Sequence, residues 1–275
     1  MPDRPVDLPE FARPPIDEVV IGLQFLPLEA FSDEQVSSYW QTVRSDYPIV
    51  QYQPRLESTV QPLGQVQFAM GSGIPIMPAP PGRLGRTWLI SADDSFLIQI
   101  QNDRFVHNWR HRRDEYPRFE AIHDLFWKRY REFRGLLREQ GFPKPQLQQV
   151  EVTYINWIPD EQLRSHQFFR PAESTRVDIA SLAEYPEPQF WIGTYDAQDN
   201  SRPVGRLTVQ AQSGAVRLAP KPERGSLLTL NFLAPVPPAL NDGDIDSLLT
   251  NGRELIVRAF TQLTSDNAHH QWSLR

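Results

Sequence analysis

The chain has 275 residues, of which 34 are acidic and 28 are basic, so its formal net charge at pH 7 is −6. It contains no cysteine, which excludes disulfide scaffolds, cysteine-ligated zinc, iron–sulfur clusters and cysteine nucleophiles. A chain of this length buries about 70–75% of its unfolded surface without such cross-links, and its acidic balance is atypical of general nucleic-acid binders.

The first part of the chain begins with a proline-rich arm at residues 1–16. Apolar and polar residues then alternate over 18–26, which predicts a half-buried strand. Ser32, followed by two acidic residues, predicts the start of a helix that runs to Asp46. A short strand is expected at 49–56. Residues 71–85 contain four glycines and four prolines, which predicts a long loop.

Two β-type runs follow at 87–91 and 95–102, and the three residues between them predict a tight hairpin. The second run is expected to continue through Arg104 to Trp109. Aromatic and aliphatic residues then recur every three or four positions over 116–140, which predicts a long amphipathic helix that stops at Gly141. A further alternating strand is predicted at 147–158.

The second half repeats this plan, with predicted strands at 190–195, 206–212 and 227–233, a helix at 244–263 and a last strand at 270–274. We therefore expect an α+β fold of two related units, each with strands and one long helix. In that fold, amphipathic helices pack on one face of an antiparallel sheet. The expected organisation is an arm at 1–16, a first unit at 17–160 and a second at 161–275, packed as one globular body. A single irregular sheet whose halves are alike by chance is the alternative.

The string FARPPIDEV at residues 11–19 resembles the opening of a sporadically distributed, functionally uncharacterised family of bacterial proteins about 250 residues long. Its members begin F-x-x-P-P-[IV]-x-E-V. The EVTYIN string at 151–156 and the helix at 116–133 are similar to that family too. The resemblance covers most of the chain and implies one structural unit in a prokaryotic cytoplasm, but it implies no reaction, cofactor or catalytic residue.

Local catalytic motifs are absent from the sequence: it has no phosphate-binding loop, GxGxxG, GxSxG or HExxH string. The absence of these strings does not exclude catalytic triads or carboxylate pairs that assemble from distant positions. His107 and His111 would share one face only on a helix, whereas their segment is predicted as a strand. His269 and His270 would point to opposite faces of the predicted last strand. We expect no metal site, no cofactor and no catalytic residue.

Basic charge is concentrated in residues 104–140, which hold ten lysines and arginines against six acidic residues. Arg110, Arg112 and Arg113 fall within four positions, and only Asp114 and Glu115 lie beside them in the sequence. Like charges held together repel one another, and arginine forks suit carboxylates and phosphates. The candidate binding residues are Arg104, His107, Trp109, Arg110, His111, Arg112, Arg113 and Arg118.

These observations favour a non-enzymatic binding protein over an enzyme. We expect a partner protein to dock on the basic 104–118 segment. The alternative is a nucleic-acid- or nucleotide-binding or processing protein that uses the same cluster, where basic and aromatic residues interleave. A third reading is a solvated helix face with local ion pairs. The first fifteen residues contain five prolines, so a secretory leader is not expected. A membrane span is not expected either. We therefore expect a soluble cytoplasmic protein that could form a homo-oligomer.

Overall fold

The structure of the protein, a computed structural model, describes residues 5–57, 85–112, 115–171, 177–179, 182–184, 189–195, 203–217 and 222–275. The strands in these ranges are β1 Ile16–Phe25, β2 Ile49–Gln53, β3 Arg86–Ile90, β4 Phe96–Gln101, β5 Arg104–Arg110, β6 Leu147–Pro159, β7 Val177–Ile179, β8 Leu182–Glu184, β9 Gln189–Tyr195, β10 Pro203–Arg217 and β11 Glu223–Pro235. The helices are α1 Asp33–Val43, α2 Phe119–Glu139, α3 Ser165–Phe168, α4 Asp242–Leu263 and α5 Asp266–Trp272.

Nine strands form one antiparallel sheet in the order β2-β3-β4-β5-β1-β6-β11-β10-β9, and β7 and β8 form a separate two-stranded ladder. The predicted α+β class with an antiparallel sheet is therefore confirmed. No helix in the described ranges is long and apolar enough to cross a bilayer.

The chain divides into two compact units, and each is built from separate stretches of sequence. Unit 1 comprises Met1–Glu18, Val152–Leu233 and Leu249–Arg275, and unit 2 comprises Val19–Glu151 and Ala234–Leu248. In unit 1, the rings of Phe11, Phe260 and Trp272 pack against one another in edge-to-face and tilted arrangements, with centroids 5.2–6.3 Å apart.

The core of unit 2 forms where α2 and α1 pack on the sheet around Phe105 of β5. Phe133 and Tyr130 of α2 place their rings 5.2 and 5.5 Å from that of Phe105, and Tyr39 of α1 lies 6.2 Å from it. All four side chains are buried. The apolar stripe predicted for the long helix is thus the face that contacts the sheet.

Helix α1 begins as the sequence predicts. The Ser32 hydroxyl accepts a hydrogen bond from the backbone N–H of Glu34, and Gln35 accepts one from the backbone N–H of Ser32. These bonds satisfy N–H groups that the first turn of a helix leaves without partners.

Two predicted elements are wrong. The run predicted as one strand to Trp109 is two strands, β4 and β5, because the chain turns at Asn102 and Asp103. The predicted last strand at 270–274 is helical as far as Trp272, because Ser265 caps α5 through the backbone N–H of Ala268. The predicted loop at 71–85 lies outside the described residues except for Gly85.

Candidate anion-binding groove

The sequence-predicted site residues on β5 alternate between two faces of the sheet, as strand geometry requires. His107 and Trp109 point toward the helices and are buried. Arg104 and Arg110 lie on the opposite face. Buried side chains cannot contact a partner at the surface, so the segment is not one continuous docking face.

His107 is part of the core. Its Nε2 lies 2.9 Å from the hydroxyl of Tyr47, and its ring stacks on Phe96 with centroids 5.6 Å apart. Burial, together with the positive charge of Arg129, lowers the pKa of His107 to about 3. The imidazole is therefore neutral at pH 7.

We expect His107 to make the protein less stable in mild acid. The unfolded chain takes up a proton near pH 6.5 while the folded ring does not, so stability is full above about pH 6.5 and falls as the pH drops toward 3. The loss in unfolding free energy between pH 7 and 5 should be about 2 kcal/mol smaller in His107→Phe, at 1.4 kcal/mol per pH unit. Urea unfolding at both pH values measures this. The exposed His270→Asn control should keep the wild-type dependence, and an unchanged dependence in His107→Phe would contradict the burial argument.

Three arginines of the predicted cluster, Arg104, Arg110 and Arg112, are already paired within the protein. Arg110 and Arg112 both donate to the carboxylate of Asp94, in the hairpin between β3 and β4. Arg104 donates to the backbone carbonyl of Glu57 at 2.9 Å, and its Nε lies 3.8 Å from Asp103. Only Asp114 and Glu115 lie beside this cluster in the sequence, but the hairpin brings in Asp94 as a further carboxylate.

The remaining predicted residues are scattered. His111 is exposed, and its ring lies 6.0 Å from that of Trp109. Arg118 is half-buried at the start of α2, with a φ of 74°. Arg113 lies outside the described residues.

Arg110→Gln should lower the free energy of unfolding by about 1–2 kcal/mol, because it removes a charge-assisted hydrogen bond from a side chain that is 11% exposed. Arg112→Gln should cost less than about 0.5 kcal/mol, because that side chain is 36% exposed. Chemical denaturation of both variants measures the difference. Equal, negligible losses would mean that the pair with Asp94 contributes no stability.

A different basic surface lies on α2. Arg131, Arg134 and Arg138 stand three and four residues apart, which places them on one face of the helix. With Gly135, Phe142, Pro143, Lys144 and Pro145 they line a groove of about 450 Å³. We call these eight residues the basic groove. Four of them are basic and none is acidic.

The arginines of α2 differ in their partners. Arg129 is buried and binds both Asp46 and Glu132. Arg131 and Arg138 are exposed, and neither has an ion-pair partner among the residues that the structure describes. Their charge is therefore available to an anion from outside.

Arg134 and Lys144 are held at the side of the groove by Asp242, the first residue of α4. Arg134 donates to Asp242 at 2.8 Å, and the Lys144 ammonium lies 3.8 Å from the same oxygen. The hydrogen bond from Arg134 lowers the pKa of Asp242, and Lys144 and Arg131 add to the effect. The carboxylate is thus ionised at pH 7 and pairs with two of the four basic residues of the groove.

An apolar recess of about 680 Å³ adjoins the basic groove and shares Lys144 and Pro145 with it. We call it the apolar recess after its aliphatic lining residues, which are Leu26, Leu147, Val236, Leu240 and Ile245; Gln146, Gln148 and Asp242 line it as well. Leu26 is 44% exposed, which is high for a large hydrophobic side chain. The site therefore offers positive charge and apolar surface side by side.

A histidine–aspartate pair also links α2 to the start of α4. Nε2 of His123 lies 2.9 Å from Asp246, and the indole N–H of Trp127 donates to the same carboxylate at 2.7 Å. Burial lowers the pKa of His123, and Asp246 opposes that shift. Because Trp127 and His123 share the carboxylate, the pair serves as a link between helices.

Within the described ranges, no three His, Asp or Glu side chains come together as the ligands of a metal ion would. No protein-family model matches the chain, and no curated protein is significantly similar to it. The function of the groove must follow from its own chemistry.

Lys144 and Asp242 are absent from the candidate residues predicted from the sequence, as are the three groove arginines. The arginine spacing on a predicted helix was visible in the sequence and is the signal that points to this face. Nothing in the local sequence indicates that Asp242, more than a hundred residues away, lies beside Arg134.

Proposed function

We propose that the chain is a non-enzymatic binding protein of a prokaryotic cytoplasm, and that the basic groove docks an acidic segment of a partner protein. One observation carries the proposal: four basic side chains and no carboxylate line a groove that continues into an apolar recess. Arginine clusters bind acidic motifs through their planar, bidentate donors.

The apolar recess favours a protein partner over a nucleic acid. Aliphatic side chains beside the groove match the leucines or valines of an amphipathic acidic segment, whereas a phosphate backbone offers nothing to them.

The proposal can be tested with a labelled 12-residue peptide in which a run of glutamates is followed by leucines. Fluorescence anisotropy should show binding that weakens as salt rises, because exposed charges are screened. Arg131→Gln with Arg138→Gln should weaken binding about tenfold or more, since two charge-assisted contacts are lost. The control Arg44→Gln removes an exposed arginine just after the end of α1 and should leave the affinity unchanged.

Gly135 allows a second, independent test, because a Cβ built on it meets no heavy atom within 4 Å. Gly135→Glu should fit and place a competing carboxylate in the groove, so peptide binding should be lost. The matched control Gly135→Ala should keep binding and stabilise the helix by about 1 kcal/mol.

Two results would overturn the proposal. One is that the peptide does not bind, or that it binds with an affinity that Gly135→Glu leaves unchanged. The other is that a single-stranded oligonucleotide binds at the same arginines with a steep loss of affinity in salt, in which case the partner is a nucleic acid.

A further inference from the structure

Strand β2 lies at one end of the nine-stranded sheet, and in the described part of the chain β3 is its one strand neighbour. An edge strand has a row of backbone N–H and C=O groups that can pair with another strand. Two side chains of β2 are large, hydrophobic and exposed: Ile49 is 42% exposed and Tyr52 is 72% exposed.

Edge strands usually carry features that block pairing, such as charged residues, prolines or bulges. The β2 sequence IVQYQ contains no charged residue and no proline, and its register with β3 is regular over all five positions. Prolines stand immediately outside it, at positions 48 and 54. Because proline lacks an N–H donor, these two residues limit any added ladder to the five residues between them.

The β2 sequence is complementary to itself in one antiparallel register. When Gln51 pairs with Gln51 of a second copy, Val50 lies opposite Tyr52, and Ile49 lies opposite Gln53. Aromatic residues opposite β-branched ones are favourable cross-strand pairs, and no like charges meet. A shift of one residue would move the side chains to the other face of the sheet.

A recess beside β2 fits this register. Val50 and Tyr52 line it from the strand, Leu89 lines it from β3 and Trp40 lines it from α1, and its volume is about 280 Å³. In the register centred on Gln51, the phenol ring of Tyr52 from the second copy lies across from Val50, on the face where this recess opens.

We propose that β2 is a self-association surface, on which two copies of the chain pair antiparallel about Gln51 and join their sheets. The interaction is symmetric, so each copy presents the same five residues. It uses neither the basic groove nor the apolar recess, so it holds independently of the proposed function.

The test is sedimentation equilibrium of the full chain from micromolar to about millimolar concentration, because a five-residue ladder is about 17 Å long and its association is weak. We expect a monomer–dimer equilibrium. Gln51→Lys and Gln51→Glu should each weaken it about fivefold, because like charges then meet at the symmetry axis. An equimolar mixture of the two variants should restore the dimer.

The control Gln41→Lys changes an exposed glutamine on α1 in the same way and should leave the equilibrium unchanged. Circular dichroism should show that the Gln51 variants fold as the wild type does. A chain that stays monomeric throughout would overturn the proposal. So would a dimer that neither Gln51 variant weakens, or a mixture that does not restore association.

Discussion

Replacing Phe126 with alanine should lower the free energy of unfolding by about 3–5 kcal/mol, the range for deleting a buried aromatic side chain. Phe126 is fully buried in unit 2. Its ring lies 6.3 Å from that of Phe105 on the sheet, and it stacks parallel to Tyr130 at 6.2 Å. The substitution therefore leaves a cavity between α2 and the sheet, and urea denaturation measures its cost.

Lys128→Ala is the matched control for Phe126→Ala, because Lys128 is exposed on the same helix. It should change the stability by less than about 0.5 kcal/mol. A loss of less than about 1 kcal/mol for Phe126→Ala would show that α2 does not pack on the sheet through this stripe.

Arg129→Ala should cost about 2–4 kcal/mol. The side chain is 5% exposed, and it binds Asp46 and Glu132 and lies over the ring of Tyr47 at 5.1 Å. Its removal eliminates a buried ion network and the packing of its aliphatic stem. The cost stays below that of stranding a fully buried charge, because Asp46 and Glu132 are 52% and 33% exposed and retain contact with water.

Asp46→Asn is the partner control, and it should cost about 1 kcal/mol or less, because Arg129 keeps its ion pair with Glu132.

The dependence of stability on acid pH gives a second measurement of this ion pair. The hydrogen bond from Arg129 lowers the pKa of Asp46 below 3.8, so this pair stabilises the protein above about pH 4 and loses that effect as the pH falls through the folded pKa. Arg129→Ala should be less sensitive than the wild type to acid below pH 4. Equal sensitivity would show that the pair does not contribute.

Local sequence patterns predicted the parts of the fold that local physics determines. The stripe that includes Phe126 and Phe133 predicted both the helix and the face that is buried. The cap at Ser32 predicted where α1 begins. A serine before an aspartate at Ser265 also favours a helix start, and a helix begins there where a strand was expected at 270–274.

The candidate site needed information that no local pattern contains. Arg129 and Arg131 are two residues apart on one helix, yet one is buried with Asp46, 83 positions away, and the other is exposed. The dense arginines at 110–113 indicated a binding cluster, but the hairpin that supplies Asp94 decides how two of those charges are satisfied. Charge density along the sequence does not show which charges the fold itself neutralises.

The open space at Gly135 also provides a way to observe the groove directly. Because the chain has no cysteine, Gly135→Cys would introduce a single thiol, and a Cβ at that position meets no heavy atom within 4 Å. A small environment-sensitive dye attached there would sit among the groove arginines without a competing label elsewhere on the protein. Its emission would report occupancy of the groove in real time, in a native-host lysate as well as with purified components.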